Sequence, residues 1–195
     1  VDAADDPEVE LAEFDRSLQA RAPEPRQVVS ATAIATAGGG DVDGSERLPG
    51  GGHRRSHVGP AIGRAVHAAM QAVYPVHFDD PTALAALSAS SAEVEGLRGA
   101  ETATVVSTVA AMVADPQVRA VLSGNHWREI YVAGPVGGED GVVVEGYVDL
   151  LGEDGPDALV VLDYKSDLVI TDADLDEKVA RYRLQLGAYA AVLRV

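Results

Sequence analysis

The sequence contains no cysteine. Disulfides, thiolate zinc sites and Fe–S clusters are therefore excluded together. A chain without thiols fits a reducing compartment, so a cytoplasmic location is expected. Positive charge is also scarce: 15 Lys and Arg stand against 31 Asp and Glu, for a net charge of −16. That makes an awkward partner for a phosphate backbone, because nucleic-acid binders usually carry basic patches. Long apolar runs are missing too. The longest low-charge stretch, "TATVVSTVAAMVA" (102–114), is too short and too polar to span a bilayer, and no membrane partner is expected. The acidic start, "VDAADDPEVE", lacks the apolar segment of a signal peptide. No Lys-Ser or Lys-Thr follows the glycine-rich tract, which removes a phosphate-binding P-loop.

What is present is enough for one domain with a real core: 195 residues, 47% of them hydrophobic. Residues 1–27 read as an acidic N-terminal arm in which "PEVELAEFDRSLQAR" forms a short helix ended by Pro23 and Pro25. Residues 28–37 read as a short apolar helix with Ser30 and Thr32 as N-cap candidates. Residues 38–58 form a Gly-rich flexible loop whose His53 and His57 look more like linker than metal site. A helical part, 59–122, follows. Its first helix, 59–74, has Ile62, Val66, Ala69, Met70 and Val73 on its apolar face, and further helices are expected over 81–88, 92–114 and 116–122. Then the pattern changes to β-branched and aromatic residues at 127–134, 141–151 and 158–165, with turns between. An amphipathic helix over 175–193 closes a βββα core of 127–193. The expected class is α/β or α+β, with a central mixed sheet of at least three strands flanked by helices and a helical region before it.

The third strand, "ALVVLDYKSD" (158–167), is apolar until Asp163 and Lys165, which alternation puts on one face. A hairpin centred near Gly155 sets Asp149 opposite about Val161, so Asp149 and Asp163 become diagonal neighbours, with side-chain origins roughly 7–8 Å apart. Two carboxylates and a lysine on a half-buried face need compensation. One reading is a salt bridge at a sheet edge. The other is a Mg²⁺ or Mn²⁺ site, since such cations take a few carboxylates and leave room for water and substrate oxygens. Tyr182, Gln185 and Tyr189 share one face of the last helix, either as an amphipathic border or as part of this site. His67 lies mid-helix at the edge of an apolar face, as a core histidine or a ligand. Glu129 opens the first strand.

Together "SATAI", "GRAVHAAM", "REIYV", "EGYVDLL", "VVLDYKSD" and "YRLQLGAY" resemble, in order, the motifs of RecB-like nucleases of the PD-(D/E)xK superfamily, over roughly residues 28–193. The nearest likeness is to the C-terminal nuclease domain of UvrD-like, AddA-type helicase–nucleases. The resemblance implies a restriction-endonuclease-like core and a Mg²⁺- or Mn²⁺-dependent deoxyribonuclease, with exonuclease action and a role in repair and recombination. It implies Asp149, Asp163, Lys165, Gln185 and Tyr189 as catalytic residues, His67, Asp149 and Asp163 as metal ligands, and Glu129 and Tyr182 as supporting or substrate-side residues. The implied partners are a single-stranded DNA end, helicase domains of the same parent chain and a second helicase–nuclease subunit. Ser166 stands where the family usually has Thr, and the 38–58 tract looks like an insertion. The start at Val1 and the lack of a strand after the last helix fit a piece of a larger helicase–nuclease. The alternative is a nuclease-fold module with weak or no chemistry that guides DNA in a helicase complex.

Overall fold

The computed structural model describes residues 27–37, 58–137, 141–167 and 169–194. Most of the N-terminal arm, and the Gly-rich tract with His53 and His57, lie outside the described residues.

Strand β1 (Val28–Ser30) leads directly into helix α1 (Ala31–Ala37). Four helices follow: α2 (Val58–Ala72), α3 (Pro81–Val94), α4 (Ala100–Ala114) and α5 (Pro116–Ser123). Then come β2 (His126–Val136), β3 (Val142–Glu153), β4 (Leu159–Leu162) and α6 (Asp172–Leu193). The mixed α/β class expected from sequence is the one observed. Among the described residues, no single helix is long and apolar enough to cross a membrane.

The helix boundaries have chemical causes. Asp80 and Asp115 each precede a proline, and each carboxylate accepts from two backbone amides of the first turn, capping α3 and α5. Thr171 and Asp174 form a reciprocal capping box on α6. The expected helix over 92–114 is two helices instead. Gly96 and Gly99 adopt φ of 75° and 58°, left-handed values that end α3 and turn the chain before α4. Residues 28–37 are also divided. Val28–Ser30 pair in parallel with Val143–Glu145, and only then does Ser30 cap α1 by accepting from the Ala33 amide at 3.0 Å.

β3 is the centre of the sheet. β2 pairs with it in antiparallel fashion along nearly its whole length. On its other edge β1 takes the first half and β4 the second. Helices α2–α5 and β4 enclose one apolar cluster, containing Val66, Met70, Val109, Leu122 and Leu150. α1 and α6 cover a second, containing Val132, Val144, Val148 and Tyr189. Val148 and Leu150 would share a face in a regular strand, yet they join different clusters. The alternation breaks at Asp149. Opposite the break, Glu129 has φ 48°, and it drops out of a ladder that pairs Arg128 with Leu150 and Ile130 with Val148.

Two corrections concern the third strand. Leu150 pairs with Leu162 and Leu151 with Val161, so the register differs by two residues from the expected one. Continued one step, it sets Asp149 opposite Asp163 rather than Val161. The strand also ends at Leu162 and not at 165. The ladder stops where the Tyr164 amide donates to the Asp149 carboxylate at 2.6 Å instead of to a carbonyl.

Arg128 fastens α2 to the sheet. Its guanidinium donates to the carbonyls of Met70, Gln71 and Val73, at 3.0, 2.6 and 2.5 Å, and lies over the Tyr74 ring. These carbonyls belong to the end of α2, where backbone acceptors lack helical partners and a cation is favoured. Replacing Arg128 with Leu removes this donor from all three carbonyls, of which only Met70 keeps another, the Val73 amide. The expected loss, read from urea unfolding, is about 2–4 kcal/mol, since a charge-assisted hydrogen bond contributes roughly 1.5–3 kcal/mol.

Candidate active site

His67 projects from the middle of α2 toward the break in the sheet. Its Nε2 lies 3.0 Å from the Tyr164 carbonyl oxygen, which can only accept, so this nitrogen carries a proton. The other nitrogen, Nδ1, faces two acids: Asp149 Oδ1 at 3.4 Å and Glu129 Oε1 at 4.0 Å. A bare lone pair facing two carboxylates is repulsive. The position calls for a proton or a metal ion. The hydrogen bond with Asp149 raises the His67 pKa above its ordinary 6.5, against the opposing effect of burial. One ligand atom from each of His67, Glu129 and Asp149 lies within 4.8 Å of the others, a spacing that can hold a metal ion. The Nε2–H donated to a backbone carbonyl is the arrangement that fixes the tautomer of a metal-binding histidine.

Asp149 ties the parts together. It is 8% exposed, and its second oxygen accepts from the Tyr164 amide. Tyr164 is buried and meets the His67 ring edge-on at 5.9 Å. The left-handed backbone of Glu129 is strained for a residue with a Cβ, and such strain collects at functional positions.

A second group begins one residue beyond β4. Asp163 is paired with the ammonium of Lys165, and its Oδ1 accepts from Gln185 Nε2 at 3.2 Å. Burial, with a smaller contribution from the Asp149 charge, holds the Asp163 carboxyl above its usual range even though Lys165 pulls the other way. Lys165 Nζ also sits 4.9 Å from the centre of the Tyr182 ring, a cation–π contact. Tyr182 donates to Asp167 at 2.6 Å. Gln185 Nε2 lies 3.1 Å from the Tyr189 hydroxyl, which donates to the Tyr147 carbonyl at 2.7 Å. Burial raises the pKa of both tyrosines, so their hydroxyls stay protonated donors.

The residues singled out in the sequence thus form two adjoining groups. His67, Glu129 and Asp149 converge between α2 and the sheet. Asp163, Lys165, Tyr182, Gln185 and Tyr189 converge between the end of β4 and α6. Asp149 and Asp163 feel each other's charge but have different partners, because the alternation breaks at Asp149. Glu129, expected only in a supporting place, stands closer to the His67–Asp149 pair than the expected third ligand, Asp163, which is outside the three-donor group. Sequence reasoning missed Arg128, although it opens "REIYV" and is a rare cation in an acidic chain. It also missed Gly146. A Cβ there would lie 2.9 Å from Tyr189 Cε1, so glycine leaves room for that ring to reach the Tyr147 carbonyl. Beside Leu162–Lys165 a pocket of about 610 Å³ opens toward Thr108, Met112 and Gln117.

A mixed sheet between helical layers, with an Asp-x-Lys just past a strand and acids beside a helix histidine, defines a nuclease-type α/β domain of the restriction-endonuclease-like kind. The family model of the PD-(D/E)XK nuclease superfamily matches residues 45–195, and the chain belongs to that superfamily. No curated protein matches the chain.

The raised His67 pKa has a consequence for stability without metal. The His67–Asp149 pairing is fully present below the unfolded pKa of 6.5 and is lost as pH rises through the higher folded value. With a chelator present, His67→Gln is expected to lower the melting temperature more at about pH 5 than at about pH 9. Thermal melts of the two proteins at both pH values check it; an equal penalty at both would refute the pairing.

Proposed function

We propose that the domain is a Mg²⁺- or Mn²⁺-dependent deoxyribonuclease that hydrolyses phosphodiester bonds as an exonuclease from a single-stranded end. The observation that carries this reading is the junction of the two groups: a lysine–aspartate pair one residue past β4, beside a three-donor group of His67, Glu129 and Asp149. The donor set suits the cation. Carboxylates satisfy a hard divalent ion, and the single imidazole tilts the preference from Mg²⁺ toward Mn²⁺. The buried Asp163 is the remaining ligand in this reading, and its raised pKa is the cost that a cation would relieve.

A bound cation there polarises a phosphoryl oxygen and acidifies a bound water. The chain's own residues do the rest. Lys165 orients the attacking water and offsets charge that builds on the phosphoryl oxygens. Gln185 holds Asp163, and Tyr189 holds Gln185. Tyr182 lies under the lysine ammonium on the substrate side and limits its swing. Cleavage leaves a 5′-phosphate. In the wider reading this domain belongs to a RecB-like, AddA-type helicase–nuclease of DNA repair and recombination, acts in the cytoplasm with the helicase domains of its parent chain, and meets a second subunit.

Linear single-stranded DNA with Mn²⁺ is the direct assay. Asp163→Ala and Lys165→Ala are each expected to slow cleavage by about 10²-fold or more, the size found when one charge-stabilising group is removed. Equal degradation by all three proteins would place the activity elsewhere.

The net charge of −16 favours the second reading, a nuclease-fold module that guides DNA and cuts weakly or not at all. Metal binding separates the two. In the active reading, Mn²⁺ at a hundredfold excess over its Kd stabilises the domain by about 2.7 kcal/mol, and Asp149→Asn removes most of that gain. A melting temperature that ignores Mn²⁺ would favour the guiding module.

A further inference from the structure

An acidic chain that acts on DNA needs a way to hold it other than phosphate neutralisation. Tyr131 and Tyr147 are register partners on β2 and β3. Val132, Val144 and Val148 point into the cluster under α6, so the two tyrosines lie on the opposite face of the sheet. They are 51% and 60% exposed, with ring centroids 5.3 Å apart and planes tilted by 56°. The Tyr131 hydroxyl donates to Glu145 at 2.5 Å, which fixes that ring on the surface. Cross-strand aromatic pairs support a hairpin by a fraction of a kcal/mol. That does not explain why more than half of each tyrosine is left in water.

Their place in the fold does. Tyr131 is two residues from Glu129, and Tyr147 is two residues from Asp149. Each ring therefore sits about 7 Å along its strand from a residue of the three-donor group. The same stretch of this face carries Glu145 and no lysine or arginine at positions 129, 131, 133, 143, 145, 147 and 149. The cations at the site, Arg128 and Lys165, are already engaged by carbonyls at the end of α2 and by Asp163. A base finds two tilted aromatic rings.

We propose that Tyr131 and Tyr147 form a stacking platform for bases of single-stranded DNA, next to the phosphate held for cleavage. The inference rests on the nuclease reading and gives that site its mode of substrate binding. Stacking on an aromatic ring tolerates every base and requires no positive charge, which suits a protein of this composition. A paired duplex hides its base faces in the stack, so the platform selects unpaired strands.

Fluorescence anisotropy with Ca²⁺ in place of Mn²⁺ measures binding of the full chain to a labelled oligothymidylate and to an abasic strand of equal length. The thymidylate is expected to bind about tenfold tighter or more, the scale of one to two stacked bases. Tyr147→Ala and Tyr131→Ala should each shrink that difference, while Tyr147→Phe and Tyr131→Phe, which keep the rings, should preserve it. Lys165→Ala should preserve it too, with cleavage lost. Equal binding of both strands by the unaltered chain, no binding of either, or full retention of base preference in both alanine variants would overturn the platform. The abasic comparison decides even if an alanine variant fails to fold. Cleavage in Mn²⁺ with no base preference would leave the nuclease reading standing and the platform refuted. Base preference without cleavage would do the reverse.

Discussion

The site depends on one buried carboxylate. Asp149 accepts from the Tyr164 amide with one oxygen and faces His67 with the other. It therefore joins the central strand, the segment beyond β4 and helix α2. Each contact answers a cost. A carboxylate out of water must find hydrogen-bond donors or a cation, or it raises the energy of the fold by several kcal/mol. Removing any partner would leave the others with an uncompensated charge. The same carboxylate ends the β3–β4 ladder by taking the amide that would have continued it. The loosened segment carries Tyr164 and Lys165, and its geometry is set by this side chain rather than by sheet hydrogen bonds.

Around this joint the structure stores energy in identifiable ways. Glu129 holds a left-handed backbone in the middle of a strand. Asp163 is buried with its pKa raised, only partly offset by Lys165. His67 presents a nitrogen to two acids. A divalent cation would relieve the last two, which are costs of charge, while the Glu129 backbone brings its carboxylate beside them. The supports on either side are stiffer. Arg128 anchors the end of α2, and Tyr189, let in by Gly146, anchors α6 to the sheet and carries Gln185 to Asp163. Two helices from opposite layers are thereby held against one short stretch of backbone.

The charge of the chain bears on how such a site meets its substrate. With acids around it and little positive charge, the face near the site cannot attract a phosphate backbone by itself. In the proposed reading a bound metal ion would supply local positive charge, and exposed tyrosines would supply apolar area that ignores charge. Both devices operate only at short range.

The class of fold was legible in the sequence because it rests on local patterns. β-branched and aromatic residues marked β2 and β3, and Asp163-x-Lys165 at the end of an apolar run marked the candidate site. The pairing of β1 with β3 was not legible, since three residues preceding a helix carry no signal of a distant partner. Nor was the register, which the 154–158 turn fixes through the Asp154 amide and the Ala158 carbonyl. A shift of two moved Asp163 level with Asp149. Tertiary structure alone decided that Glu129 joins His67 and Asp149 while Asp163 turns to Lys165 and Gln185. The reason is the broken alternation at Asp149 and the left-handed turn at Glu129, where charged side chains from separate elements meet, and no single stretch of sequence contains that meeting.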